Sequence, residues 1–258
     1  MAKNKLVAPV VKWVGGKRQL IDEITPLLPK KIEFYDLNRD LMIVYEVIRD
    51  NVEELIESLK KHENTADYFY EIRDMDRDQS VYQSMSKVDR ASRLLYLNKT
   101  CFNGLFRVNS SGEFNSPFGH YKNPNIVNEP VLRAVNKYLT KNDIILYSED
   151  FEKILERVPN NGFVYLDPPY DPVSDTASFT GYNKGGFDKE EQKRLKRCCD
   201  LLDKRGVKFM LSNSATEFIK SLYGDYDVTI VKAKRIINSN VNGRGTVDEV
   251  LIRNYGKK

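Results

Sequence analysis

From Ile144 to the C-terminus, short apolar runs with strand character alternate with helix-patterned segments, and this alternation restricts the chain more than any other feature. Asp143–Tyr147 reads as a strand, Phe151–Leu155 as a helix, Gly162–Asp167 as a near-continuous apolar strand, Glu190–Leu202 as a helix and Val207–Ser212 as another strand. Two more strands are expected at Val228–Val231 and Val247–Asn254. Strands that are apolar along their whole length are buried on both faces, so the pattern predicts an α/β protein with a mostly parallel sheet covered by helices. Ligands of such sheets bind at the carboxyl ends of the strands.

Upstream, Lys12-Trp13-Val14-Gly15-Gly16-Lys17 reads as a turn opening a helix through Leu20, Ile21, Ile24 and Leu27, which Pro29 ends. Ile32–Asp36 reads as a short strand with an acid at its carboxyl end, and Asn38 is placed to cap a helix whose apolar face is Leu41, Val44, Tyr45 and Ile48. Val52–Leu97 is mostly helical by pattern. Asn98–Pro124 is different: it is rich in Asn, Gly, Ser and aromatic residues and has neither period. A long irregular segment with that many aromatics is expected to be functional rather than disordered.

The residues that carry chemistry are Asp167-Pro168-Pro169-Tyr170, directly after the apolar strand. Two prolines stiffen the turn and hold the tyrosine ring in one orientation. The amino group of a nucleobase is a poor nucleophile because its lone pair is delocalised into the ring. The Asp167 carboxylate and a backbone carbonyl, that of Pro168, can accept its hydrogens and favour a pyramidal geometry. Tyr170 offers a flat face to a base swung out of a duplex. Group transfer then needs in-line positioning rather than a covalent enzyme nucleophile. On this motif alone, adenine and cytosine amino groups are both open as targets.

Composition removes several other classes. The 258 residues are 41% hydrophobic and 30% charged, without an apolar run of membrane-spanning length or an export signal core, so a soluble cytoplasmic chain is expected. Cys101, Cys198 and Cys199 are too few and too badly spaced for a disulfide framework or zinc site. With only His62 and His120, a histidine-rich metal site or Ser-His-Asp triad is not expected, and no metal is. The net charge of +4 is compatible with a polyanionic partner without requiring one. Gly15-Gly16-Lys17 lacks the spaced first glycine and the Ser/Thr of a phosphate loop. Taken singly, Trp13 reads as core, Asp36 equally well as a capping acid, and Arg107 as a surface charge.

Five segments in order resemble the Dam/DpnII DNA adenine methyltransferases over nearly the whole chain: Lys12–Lys17, Asn103–Asn109, Gly112–Lys122, Asp167–Tyr170, and the C-terminal pair Leu211–Ser214 and Arg244–Glu249. The resemblance implies a doubly wound S-adenosylmethionine-dependent methyltransferase fold, formed by residues 1–38 and 128–258, with an inserted, mainly helical target-recognition domain at 39–127. It implies methyl transfer from S-adenosylmethionine to N6 of adenine in double-stranded DNA, at GATC, in a Dam-like or restriction–modification setting. A restriction endonuclease acting on the same site would be a functional partner without direct contact, and the location nucleoid-associated. Asp167, Pro168, Pro169 and Tyr170 would be catalytic. Trp13, Lys17, Asp36 and Asp167 would hold the donor, Lys17 reaching its carboxylate and Asp36 its ribose hydroxyls. Lys12, Asn103, Leu105, Arg107, Pro117, His120 and Tyr121 would face DNA. Arg107 also suits this role independently, because a guanidinium fork on guanine is the commonest base-reading contact. His120 stands where the family usually has arginine.

One departure is large. The family carries a strand and a Phe-x-Gly-x-Gly loop after its opening helix, whereas this chain runs from Leu28-Pro29-Lys30-Lys31 directly into Ile32–Asp36. Roughly twenty residues, the first part of a βαβ unit, are missing by this comparison. Three origins stay open: a degenerate copy, a shortened chain, or a protein that has lost donor affinity. The competing expectation is therefore a deletion-damaged relative that binds DNA without transferring methyl groups.

Overall fold

The computed structural model describes residues 10–11, 31–173, 187–234 and 246–256. These fall into two compact units, one holding Val10, Val11 and residues 31–150, the other the described residues from 151 onward.

In the first unit, strand β1 (Lys31–Tyr35) pairs in parallel with β2 (Asp143–Tyr147), in a register that sets Tyr35 opposite Tyr147. A parallel pair requires a long crossover, and here the crossover is a whole helical assembly. Helix α1 (Arg39–Asp50) starts where expected: the Asn38 side chain accepts the Leu41 N–H at 3.0 Å. Its apolar face is the one the spacing indicates, with Val44 and Ile48 fully buried. Helices α2 (Val52–Leu59), α3 (Ala66–Asp74) and α4 (Gln79–Ser84) follow, with a 3-10 turn at Met75–Arg77 before α4. Helix α5 (Lys87–Thr100), capped by Ser86, is buried on nearly every side and packs against α1, α2 and α3. Helix α6 (Glu129–Lys141) buries Leu132 and Leu139 and packs Val131 and Val135 against the core. The core joins α1, α2 and α5 to Phe106, Phe114 and Phe118, so the irregular segment between α5 and α6 is rooted in the hydrophobic interior by its aromatics.

The second unit contains a 3-10 turn (Phe151–Lys153), α7 (Ile154–Arg157), β3 (Phe163–Leu166), α8 (Lys189–Lys204), β4 (Lys208–Ser214), α9 (Glu217–Leu222), β5 (Asp227–Lys234) and β6 (Thr246–Arg253). The sheet order is β3-β4-β6-β5. β3 and β4 are parallel, as α8 between them requires, but β6 is antiparallel to both β4 and β5. The sheet is thus mixed rather than mostly parallel. The physical reason is connection length: residues 235–245 are fewer than the dozen or more that a parallel crossover needs. β4 is the central strand, buried from Phe209 to Ser214. Helix α8 lies on it through Leu195, Cys198, Cys199 and Leu202. All three cysteines are buried thiols.

Candidate active site

Asp167 follows the last residue of β3, at the carboxyl end of a parallel pair in which Leu166 lies opposite Leu211. The next residue of β4, Ser212, is fully buried and donates its hydroxyl to Asp167 Oδ1 at 3.0 Å. The same Ser212 Oγ lies 3.1 Å from the Tyr165 hydroxyl. Asp167 itself is exposed.

The turn that follows is held by a buried amide network. Gln192 on α8 donates to the Pro169 carbonyl at 2.9 Å and accepts from Asn213 Nδ2 at 3.1 Å. Asn213 Oδ1 in turn accepts the Asp171 N–H at 2.9 Å, and the Asp171 carboxylate accepts from the Thr216 hydroxyl at 2.6 Å. Gln192 and Asn213 are fully buried, and buried amides are kept only where their donors and acceptors are paired. The prolines therefore do not hold the turn alone. Sequence reasoning missed Gln192 and Asn213; a polar side chain on the otherwise apolar face of α8, and another inside the central strand, were the available signals. Among the described residues no hydrogen bond is made to the Pro168 carbonyl. Tyr170 is half-buried and donates to Glu249 Oε2 at 3.1 Å. Burial, then the Asp167 charge, pushes its phenol far above the ordinary value, so Tyr170 stays neutral.

Of the donor-binding candidates, Trp13 and Lys17 lie outside the described residues. Asp36 follows β1, and its N–H bonds Tyr147 O at 3.1 Å. Its Oδ1 accepts the Asn38 N–H at 2.7 Å. Burial raises the Asp36 carboxyl above its usual range, against the smaller opposing effect of that bond. A desolvated carboxylate with one backbone donor on one oxygen fits a vicinal diol, whose hydroxyls would supply the rest of its coordination. No Phe-x-Gly-x-Gly sequence stands between Lys17 and Ile32.

Of the candidates for facing DNA, Lys12 lies outside the described residues; the others occupy one continuous stretch. Asn103 adopts a left-handed backbone (φ 58°) in a tight turn tied to its surroundings by Phe102 N–H to Pro117 O at 2.8 Å. Ser116 Oγ donates to Leu105 O at 2.5 Å. These bonds bring Asn103, Leu105 and Pro117 together, with Asn103 and Pro117 exposed and Leu105 half-buried. Arg107 begins a hairpin whose bridge joins Val108 to Phe114. Its Nε donates to Asn115 Oδ1 at 2.7 Å and Nη2 to Asn115 O at 3.1 Å, so one edge of the guanidinium is fixed by the hairpin itself. His120 and Tyr121 are exposed, His120 with a left-handed backbone (φ 52°). Phe102, which sequence reasoning passed over, is a ring 57% exposed beside Asn103. Its signal was an aromatic at a turn residue rather than at a helical or strand period.

Among the described residues no group of three or more His, Cys, Asp or Glu is arranged to hold a metal, and no helix is long and apolar enough to cross a membrane.

An exposed carboxylate at a strand tip, followed by a stiffened turn and a tyrosine, can accept hydrogens from an amino group and offer a ring face beside it. Residues 31–237 match the family model of D12 class N6 adenine-specific DNA methyltransferases. The chain is 39% identical to a type II methyltransferase, M1.LlaDCHI, of Lactococcus lactis subsp. cremoris, with 99% of each chain covered. It is 39% identical to the type II methyltransferase M.MjaIII of Methanocaldococcus jannaschii, covering 96% of this chain and 99% of that one. It is 30% identical to a DNA adenine methylase of Escherichia coli K12, over 97% and 95%. The chain belongs to the D12 class of N6 adenine-specific DNA methyltransferases. Enzymes of this family generally use S-adenosylmethionine. The Lactococcus alignment spans 281 positions against the 258 residues here, an excess of 23, so at least that many residues of the relative have no counterpart in this chain. The family match begins at residue 31.

Proposed function

We propose that this protein methylates N6 of adenine in double-stranded DNA at GATC, with S-adenosylmethionine as donor, and that the site is built around Asp167. The observation carrying this reading is the exposed Asp167 carboxylate anchored by Ser212 at the tip of β3, next to a Pro-Pro turn locked by Gln192 and Asn213. Asp167 and the Pro168 carbonyl accept the two amino hydrogens of an extruded adenine and orient its lone pair, and Tyr170 bears on the ring face. The donor, when bound, supplies an electrophilic methyl group; Trp13, Lys17 and Asp36 would hold it. Residues 39–127 form the inserted recognition module within a doubly wound catalytic fold, with Lys12, Asn103, Leu105, Arg107, Pro117, His120 and Tyr121 toward DNA. A restriction–modification role in the nucleoid-containing cytoplasm accords with the type II names of two relatives.

The test is Asp167→Ala. Transfer of labelled methyl to a GATC duplex is expected to fall by at least about 100-fold, the size of one lost positioning contact, while duplex affinity stays within about twofold. Equal loss of binding and transfer would remove Asp167 from the chemistry. Methylation that blocks a nuclease sensitive to methyl-cytosine, but not one sensitive to methyl-adenine, would move the target to cytosine.

A second reading is favoured by the 23 or more relative residues without a counterpart. On that reading the chain binds DNA and does not transfer methyl groups. Calorimetric titration with S-adenosylmethionine separates the two: saturable heat supports the enzyme, and its absence beside intact DNA binding supports the second reading.

A further inference from the structure

Asp76, in the 3-10 turn after α3, is an acid only 5% exposed. It is not satisfied by its own helix. Its Oδ2 accepts the Phe114 N–H at 2.8 Å, and the neighbouring Arg77 donates Nη2 to the Phe114 carbonyl at 2.8 Å. Both backbone groups of one hairpin residue are therefore held by two consecutive side chains. Arg77 Nη1 also meets Asp76 Oδ1 at 2.8 Å and Glu113 Oε2 at 3.3 Å, and Glu113 receives Asn109 Nδ2 at 2.7 Å. Behind Asp76 stands Arg93 of α5, itself 5% exposed, with Nη2 at 2.9 Å from Asp76 Oδ2 and Nε on the Ile72 carbonyl at 2.8 Å. Arg93 continues to the Tyr82 hydroxyl at 3.5 Å, which donates to Asp40 at 2.8 Å, and Asp40 is paired with Arg90.

We infer that Asp76 and Arg77, braced by Arg93, are positioning residues for base recognition: they fix the 107–115 hairpin so that the Arg107 guanidinium is presented in one orientation. The inference rests on the reading that Arg107 faces DNA, and deepens it. Arg107 is clamped to Asn115 at 2.7 Å. Asn115 adjoins Phe114, the residue that Asp76 and Arg77 hold. The orientation of the Arg107 fork is thus set two links away, on the 3-10 turn after α3 and on α5, by the buried Asp76–Arg93 pair and the more exposed Arg77 beside it. A buried ion pair contributes little net stability over an apolar substitute, but it does select one geometry over others. A bidentate contact to guanine depends on that geometry.

The experiment uses the full chain. Asp76→Ala is compared with Arg77→Met, which leaves the Asp76–Arg93 pair in place and covers the case in which Asp76→Ala does not fold. The first readout is amide hydrogen exchange at Asn109 and Asn115, whose N–H groups bond Glu113 O and Arg107 O at 2.9 Å. Exchange there is expected to speed at least tenfold while α1 amides keep their protection; unchanged hairpin exchange in both variants overturns the clamp. The second readout is the ratio of affinities for a GATC duplex and a one-base variant. It should fall several-fold in either clamp variant, and no further when the change is made on an Arg107→Ala background. An equal further fall on that background overturns the assignment to Arg107 positioning. If Arg107→Ala itself leaves the ratio unchanged, the base-reading role of Arg107 has failed, and hydrogen exchange alone then decides the clamp.

Discussion

At Asp36 the proposed donor-binding role and the folding requirement oppose each other. The carboxylate is buried beside β1 with one backbone donor, and its proton affinity is raised by that burial. A folded pKa above the unfolded one means that the charged form opposes folding. The group's contribution is favourable at pH below its ordinary 3.8 and is lost as pH rises through the higher folded value. Asp36→Asn retains an acceptor for the Asn38 N–H and removes the buried charge. Its urea midpoint at pH 7 is expected to exceed that of the parent, with the gap closing as the pH is lowered toward 4. Donor affinity should move the opposite way. A variant that is destabilised at pH 7 would show that the carboxylate is satisfied in the folded state. The name of the residue and its place after a strand were legible in the sequence; its desolvation was not, because burial depends on what packs around the strand end.

At the scale of elements, the segment from α5 to α6 illustrates how an irregular stretch can be rigid. It has no helical or strand period, yet its backbone is tied at Phe102, Gly119, Asn109 and Asn115, and its aromatics enter the core. Gly119 crosses the end of α5 so closely that an added Cβ would lie 2.8 Å from the carbonyl oxygens of Thr100 and Cys101. Those are backbone atoms that cannot rotate away. Gly119→Ala is therefore expected to lower stability by about 1–3 kcal/mol, the range for overpacking, and to weaken duplex binding through the displaced His120 and Tyr121. Denaturant unfolding and a duplex titration measure both; a neutral effect on stability would mean that the crossing is looser than it stands here. The segment's aromatic-rich, aperiodic composition was readable in the sequence, whereas its fixed points were not. They depend on Asp76 and Arg77, which touch it only after α3 to α5 have packed, and on bonds such as Phe102 N–H to Pro117 O within it.

At the scale of the whole molecule, the feature with the widest consequence is a length. The relative from Lactococcus carries at least 23 residues that this chain lacks, and the family match opens at residue 31. Placing the relative's unmatched segment between Lys30 and Lys31 is expected to tighten S-adenosylmethionine binding by at least tenfold in calorimetry. No gain in a folded insertion variant would show that the donor site does not depend on that segment.

The sequence by itself determined the family, the strand that ends at Asp167, the start of α1 at Asn38, and the absence of a glycine-rich loop. Each is a matter of local order: a motif, a cap, an apolar run, a length. Only the tertiary structure decided that β6 runs antiparallel between β4 and β5, that Gln192 and Asn213 lock the Pro-Pro turn, and that Asp76 holds the hairpin bearing Arg107. These depend on which buried donor meets which acceptor across distant parts of the chain. That pairing is fixed only once packing has excluded the water that would otherwise satisfy them.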